Sequence, residues 1–300
     1  MPKRPRSCDL GVDRCPPERR HLYLVLDDWL WGYSIRKLDL HQAIAGNISG
    51  EGAMDAGTEQ PPPQILSRLQ APRGLPSHFA AIGTKILAMH PNGRDLPFFF
   101  CNSLFPVFDI GELGLIFGPR PKADWVDPIY IPAGGDRLFA LACNSFELLS
   151  PPPLGEPSNG QFRQWSWCRL PKPPFDSKCI PSYAVHPDGT TVFVSVQTPT
   201  FAGTFTFGMA EGMRKWRAHS VMLPFDGCAH YDSHLDAWVG LSGTPGTFGH
   251  LCSFGVLPTC SDASDEVKRP VMKLSKEKLF SEQCHMGATL VYMGGGGGGE

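Results

Sequence analysis

One short segment recurs along the chain, and its spacing constrains the fold more than any other feature of the sequence. A turn precedes an apolar run in five places, residues 83–88, 135–140, 189–194, 235–240 and 287–292. Only the fourth copy lacks a leading glycine. A glycine-containing turn followed by β-branched or aromatic residues predicts a β-hairpin. The copies align on the apolar anchors Ile86, Leu138, Val192, Trp238 and Leu290, which are 46 to 54 residues apart.

Each repeat contains further short apolar segments around its anchor. In the second repeat, one segment precedes the anchor at residues 129–131, and two follow it at residues 146–149 and 167–171. Four short strands per repeat, with a period of about 50 residues, are typical of kelch-size propeller blades. Because a single blade cannot bury both of its faces, neighbouring blades must stack. The sequence therefore predicts an all-β fold, specifically a β-propeller.

The two ends of the repeat array are irregular. Residues 22–26, 33–38 and 65–69 resemble the second, third and fourth strands of a blade. Few residues follow Leu290, and residues 294–299 are all glycine. We therefore expect four full blades and an incomplete terminal blade or two, five or six in total. The simplest closure of the ring places residues 22–26 in contact with residues 287–293.

Composition predicts one folded domain with unstructured stretches. The propeller is expected to span residues 21–293, interrupted by a disordered polar loop at residues 43–62. Residues 1–20 are predicted to be a disordered basic tail, and residues 294–300 a low-complexity glycine tail. A two-sheet β-sandwich or two small β domains are the alternatives, and the regular period argues against both.

Charge and cysteine usage exclude several functional classes. The formal net charge is -2, so the overall balance favours neither nucleic acid nor an anionic membrane as a partner. No apolar stretch is long enough to span a membrane, and the N-terminus lacks the apolar core of a signal peptide. The ten cysteines include no Cys-x-x-Cys pair, which disfavours a zinc site and favours reduced thiols. We expect a monomeric protein of the cytoplasm or nucleus.

Three arrangements of polar residues are candidates for chemistry. The His-Pro-Asp-Gly string at residues 186–189 resembles a turn of lactonase-like propellers, although a plain tight turn explains it. His230, Asp232 and His234, with Asp236 nearby, alternate along one strand face and suit Zn²⁺ or Fe²⁺. Their place before an anchor instead favours a solvated turn. A copper radical site needs a Tyr–Cys crosslink, and the few tyrosines argue against one. We expect no catalytic residue, cofactor or metal.

The tryptophans divide into two groups by position. Trp165, Trp167, Trp216 and Trp238 recur at matching places in the repeats, which predicts packing between blades. Trp29 and Trp31 instead lie beside Asp27 and Asp28 in a predicted loop. An exposed tryptophan is a frequent anchor of protein interfaces. Trp29 and Trp31 are therefore the candidate interface residues.

Four segments carry a family resemblance. They are PERRHLYLVLDDW at 17–29, SYAVHPDG at 182–189, LDAWVGL at 235–241 and KLSKEKLF at 273–280. They resemble the domain of unknown function 1668, a plant family expanded in grasses and loosely described as kelch-like or F-box-associated-like. The resemblance, from about Pro17 to Met293, implies a propeller-type fold and a plant intracellular setting, with no catalytic residues. The terminal glycines stand where the family would have another strand.

The expected function is a non-enzymatic scaffold that binds a protein partner, because a propeller presents loops from every blade on a rigid frame. A propeller enzyme of lactonase or oxidase type is the first alternative, and His, Asp or Glu side chains converging on a central channel would favour it. The second alternative is a truncated family copy without function. The identity of the partner does not follow from the sequence.

Overall fold

The structure is a computed structural model that describes residues 21–28, 31–39, 64–71, 78–89, 104–121, 128–134, 136–151, 165–210, 214–259 and 270–279. These residues form nineteen strands and one 3-10 helix, Ser177–Cys179. The prediction of an all-β fold is confirmed. Across these ranges, no helix combines the length and the hydropathy needed to cross a membrane.

The chain divides into two compact units, and the predicted domain at residues 21–293 includes parts of both. The first unit comprises Met1–Arg73 and Met293–Glu300, and the second comprises Gly74–Tyr292. The predicted tails at 1–20 and 294–300, the loop at 43–62 and the anchor Leu290 lie outside the described residues. These predictions, and the predicted contact between the terminal segments, stay open.

The first unit contains a three-stranded antiparallel sheet. Its strands are β1 (His21–Asp27), β2 (Tyr33–Asp39) and β3 (Gln64–Leu69), in the order β1-β2-β3. The three segments predicted as strands at this end of the chain are therefore strands. Tyr33 and Ile35 are the buried apolar residues of the central strand.

The second unit contains four consecutive groups of four antiparallel strands. The first group is β4 (His78–Ile82), β5 (Lys85–Met89), β6 (Leu104–Asp109) and β7 (Gly114–Pro119). The second is β8 (Ile129–Ala133), β9 (Arg137–Ala142), β10 (Ser145–Ser150) and β11 (Ser166–Arg169). The third is β12 (Ser182–Val185), β13 (Thr191–Gln197), β14 (Ala202–Gly208) and β15 (Arg217–His219). The fourth is β16 (Phe225–Asp232), β17 (Ala237–Ser242), β18 (Leu251–Gly255) and β19 (Met272–Leu274).

Every described anchor lies in the second strand of its group. Ile86, Leu138, Val192 and Trp238 are at most 9% exposed and belong to β5, β9, β13 and β17. The turn before each of these strands contains a residue with positive φ, namely Gly83, Asp136, Gly189 and Asp236. Aspartate is one of the few non-glycine residues that tolerate this conformation. The missing glycine of the fourth repeat is thus replaced by the aspartate that follows in sequence.

Successive groups share hydrophobic cores. Leu138, Ala140 and Ala142 of β9 pack with the first group, whereas Phe139 and Leu141 pack with the third. In the same way, Val192 and Val194 of β13 face the second group and Phe193 faces the fourth. Because neighbouring side chains of a strand point to opposite faces, burial of both faces requires a continuous apolar run. This explains why the anchors stand in unbroken apolar segments.

The first strands of successive groups lie side by side. β4 neighbours β8, and β8 neighbours β12. β12 pairs directly with β16 in parallel, which joins the third and fourth groups into one eight-stranded sheet. The turns of the first hairpins also touch, since the Gly134 N–H donates to the Gly189 carbonyl at 2.7 Å. The four groups therefore follow one another in chain order, with their first strands adjacent.

Candidate interaction surface

The turn between β1 and β2 carries the predicted interface residues. Its backbone is closed by two hydrogen bonds, from Asp28 N to the Gly32 carbonyl at 2.8 Å and from Trp31 N to the Asp28 carbonyl at 3.3 Å. The Asp28 carboxylate lies 3.7 Å from the Arg68 guanidinium and 4.0 Å from that of Arg36. Asp28 therefore links the turn to both β2 and β3 through ion pairs.

Gly32 permits this close packing. Its φ is +84°, a conformation that favours glycine, and its Cα faces the backbone of the segment that follows β3. A Cβ on Gly32 would lie 2.6 Å from the Ala71 backbone nitrogen and closer still to the Leu69 carbonyl oxygen. The backbone after β3 thus lies directly against Gly32.

Trp31 projects from this fixed turn into solvent. Its side chain is 70% exposed, the largest exposed fraction among the large hydrophobic residues of the described ranges. Trp29 lies outside the described residues. A large aromatic side chain on a rigid support loses little conformational entropy on binding, which is a property of interface anchors. The exposure expected for Trp31 is present.

A second exposed apolar patch lies on the β6–β7 hairpin, and the sequence did not indicate it. Leu113 at the turn is 64% exposed, and Leu115 and Phe117 of β7 are 55% and 57% exposed. Leu104 and Ile116 extend the patch. In the sequence, residues 115–119 form a short apolar segment after the anchor of the first repeat, which predicts a strand. Whether such a strand is covered depends on its neighbours in space, which local pattern does not reveal.

The His-Pro-Asp-Gly string forms the tight turn between β12 and β13. The Asp188 carboxylate accepts hydrogen bonds from Thr190 N at 2.7 Å and Thr191 N at 2.8 Å, and the His186 Nδ1 lies 3.0 Å away. Burial opposes ionisation of Asp188, but these hydrogen bonds outweigh it and lower the pKa of the carboxyl. The aspartate shapes the turn, as expected if the motif is a plain tight turn.

The polar residues of the 230–236 segment also shape a turn. The Asp232 carboxylate accepts from the backbone N–H of His234 at 2.9 Å and of Leu235 at 3.0 Å, while the Tyr231 hydroxyl donates to Asp236 at 2.8 Å. Across the ranges that the structure covers, no three His, Cys, Asp or Glu side chains form a group that could hold a metal ion. The expectation that no metal binds remains a prediction.

The four tryptophans pack between groups, as predicted, but their places in the repeats do not match, because Trp238 lies in a second strand, β17, and Trp167 in a fourth strand, β11. Trp165 and Trp167 belong to the core between the first and second groups. The Trp167 indole N–H donates to the Pro119 carbonyl at 2.6 Å, and Trp216 donates likewise to Pro171 at 3.0 Å. Trp238 donates to the Val185 carbonyl at 2.7 Å. In these three bonds, an indole of one group contacts backbone that belongs to or directly follows the preceding group.

Tyr183 and Cys228 form a partly buried pair that sequence spacing could not reveal. They lie opposite each other on the parallel strands β12 and β16. Burial, and secondarily the adjacent Cys228, raise the pKa of Tyr183 above its usual range. Burial raises the pKa of Cys228 to about 11, although the bond from Tyr183 acts in the opposite direction. Both groups are therefore protonated at neutral pH, and the thiol is a weak nucleophile there.

Comparison with known proteins gives a family and no further identity. No curated protein matches the sequence. A family model described as a protein of unknown function, DUF1668, matches residues 19–298. The match covers the first sheet and all four groups of the second unit, including the segments whose resemblance to this family was noted in the sequence. The chain therefore belongs to the DUF1668 family.

Proposed function

We propose that the second unit is built as a β-propeller of kelch-size blades. Support comes from the four antiparallel groups in chain order, the adjacency of their first strands and the shared core between each pair of neighbours. A β-sandwich has a single inner core between two sheets. In a propeller, each blade between two others instead buries both of its faces. β9 and β13 contribute side chains to cores on both faces of their groups.

On this frame, we propose that the chain is a non-enzymatic scaffold that binds a protein partner. The observation that carries the proposal is Trp31, which is 70% exposed on a turn held by ion pairs and by close backbone packing. Tryptophan is enriched among the residues that dominate interface energetics. Asp188, Asp232 and Asp236 accept hydrogen bonds within the first-hairpin turns, which is consistent with structural roles for these carboxylates.

The setting that we propose is the reducing interior of a plant cell, either cytoplasm or nucleus. Five cysteines, Cys143, Cys168, Cys179, Cys228 and Cys252, are free thiols in the part of the chain that the structure describes. Free thiols at several depths of a fold are typical of proteins in reducing compartments. The plant setting rests on the family resemblance.

The scaffold proposal is tested by comparing partners of three purified forms. Wild type, Trp31→Ala and Leu235→Ala are used to capture proteins from plant extract, which are then identified by mass spectrometry. Leu235 is a matched control because it is 62% exposed on a turn of the second unit. We expect a protein that wild type and Leu235→Ala retain and that Trp31→Ala loses.

The captured protein is then purified and its affinity measured by calorimetry. Loss of a central aromatic anchor should raise the dissociation constant roughly thirtyfold or more. Identical captured proteins and equal affinities for all three forms would contradict a role for Trp31. Circular dichroism spectra of the variants should match wild type, since both side chains are mostly in solvent.

A further inference from the structure

The outer strand β7 has an uncharged, exposed edge. It pairs with β6 on one side only, and it is the last strand in the order of its sheet. Within the described part of the chain, its backbone also accepts a hydrogen bond from the Trp167 indole N–H, at the Pro119 carbonyl that ends the strand. Residues 114–117 therefore present main-chain N–H and C=O groups on the outer edge, flanked by exposed apolar side chains, whereas Gly118 is buried.

The outer strands of the other three groups differ in charge. Arg169 of β11 has a side chain that is 69% exposed, β15 carries Arg217, and Lys273 of β19 is also exposed. Charged side chains on edge strands oppose pairing with another chain. β7 is the one described outer strand of this unit whose sequence, GLIFGP, contains no charge. β7 therefore lacks the protection against pairing that the charged residues give the other three strands.

The order of residues in β7 indicates what covers it. Gly114–Leu115–Ile116–Phe117–Gly118 reads almost the same in both directions by size and polarity. If two such strands pair antiparallel about Ile116, the exposed residues 115–117 place leucine opposite phenylalanine and isoleucine opposite isoleucine. Aliphatic–aromatic pairs of this kind stabilise antiparallel strands. A two-fold dimer requires this self-complementarity, because the same patch occurs on both subunits.

We propose that the β7 edge is the interface of a homodimer, formed by antiparallel pairing of β7 with the β7 strand of a second copy of this chain. The contact is small, since one strand pair with Leu113 and Leu104 at its margin buries less than the roughly 1,200 Å² of a typical stable interface. The dimer is therefore weak and concentration-dependent. This inference differs from the monomer expected from sequence, and it is independent of the partner proposed for Trp31.

Sedimentation velocity of the full chain, from about 1 to 300 μM, tests the dimer, because weak associations of small area fall in this affinity range. Wild type should shift from monomer to dimer over the series. The double variant Leu115→Lys with Phe117→Lys places like charges across the pair and should weaken association roughly a hundredfold or more. Both residues are more than half exposed, so folding should be unaffected.

The matched control is Met272→Lys with Leu274→Lys. These residues are also an exposed apolar pair at alternate positions of an outer strand, each 38% exposed. The control should dimerise as wild type does. A second double variant, Leu115→Glu with Phe117→Glu, should be monomeric alone but should form a heterodimer when mixed with the β7 lysine variant. Misfolding would not produce such complementation.

Two results would overturn the proposal. One is wild type remaining monomeric across the whole series, which would assign the edge to another occupant such as a partner's extended segment. The other is a dimer that the β7 variants leave unchanged, which would place the self-association elsewhere. Weakening by the β7 variants together with recovery in the lysine–glutamate mixture would support it.

Discussion

Single residues set the geometry of the turns, and Gly32 illustrates how. Its positive φ and the backbone lying against its Cα leave no room for a side chain. Asp136 and Asp236 adopt the same left-handed region in the first hairpins of their groups, where a Cβ is tolerated. The difference lies in the neighbouring backbone. A positive φ by itself can be adopted by aspartate, but a position where another backbone segment lies against the Cα can be occupied only by glycine.

Gly32→Ala should lower the free energy of unfolding by about 1–3 kcal/mol, because the new methyl group meets backbone atoms that cannot rotate away. Urea denaturation followed by circular dichroism measures the change. Gly114→Ala is the control, since nothing lies within 4 Å of a Cβ at that glycine and its φ is ordinary. Equal stability of Gly32→Ala and wild type would show that the segment after β3 does not hold the turn.

At the scale of elements, hairpins are joined by side chains at their ends. Asp109, the last residue of β6, connects two hairpins of the first group. Its carboxylate lies 3.1 Å from the Lys85 ammonium and accepts from the Thr84 hydroxyl at 2.8 Å and the Gly111 N–H at 2.9 Å. Burial alone would raise the pKa of Asp109. The hydrogen bonds from these partners outweigh burial and lower this pKa to about 2.

Asp109→Asn should therefore destabilise the protein by about 1 kcal/mol at neutral pH, because it removes the ion pair with Lys85. A carboxyl whose pKa is lower in the folded state stabilises fully above the unfolded value, here 3.8, and loses this effect as pH falls towards 2. The difference between variant and wild type should be constant above about pH 5 and shrink below pH 4. Urea denaturation at several pH values measures it, and a difference independent of pH would contradict the ion-pair account.

At the scale of the whole second unit, stability comes from cores shared between neighbours. A group of four strands has two apolar faces and can bury them only against its neighbours. Its folding therefore depends on the groups beside it. The indole hydrogen bonds of Trp167 and Trp216 reinforce these contacts at or beside the outer strands, and that of Trp238 does so at the first strand β12. Trp167 is 6% exposed and belongs to the core between the first and second groups, whereas Trp216 is half-buried.

Trp167→Phe should cost about 1–3 kcal/mol, because it leaves the part-buried Pro119 carbonyl without its donor. Trp216→Phe removes the corresponding bond to Pro171 at a solvent-exposed site, so it should cost less than about 1 kcal/mol. Thermal or urea unfolding of the two variants gives the comparison. If Trp216→Phe were the more damaging change, aromatic packing with Phe146 and Phe207 would dominate over the hydrogen bonds between groups.

Repetition made most strands predictable from the sequence. The second strand of each group contains one of the anchors, Ile86, Leu138, Val192 and Trp238. A turn followed by a continuous apolar run is typical of a strand that is buried on both faces, so these strands could be predicted. The exposure of Trp31 was likewise foreseeable, since a loop with adjacent aspartates offers an indole no core. Asp188 and Asp232 each accept hydrogen bonds from backbone N–H groups two and three residues later in the sequence. This spacing is typical of aspartates that shape turns, so their roles could be predicted.

Local pattern by itself determined the strand types, the turns and the order of the four groups, because these depend on neighbours in sequence. Only the tertiary structure decided which strands from different groups adjoin. The parallel pairing of β12 with β16, the Tyr183–Cys228 pair and the exposed edge of β7 all depend on such contacts. An apolar run has the same composition whether another sheet covers it or solvent does, and that difference is set by packing between distant segments.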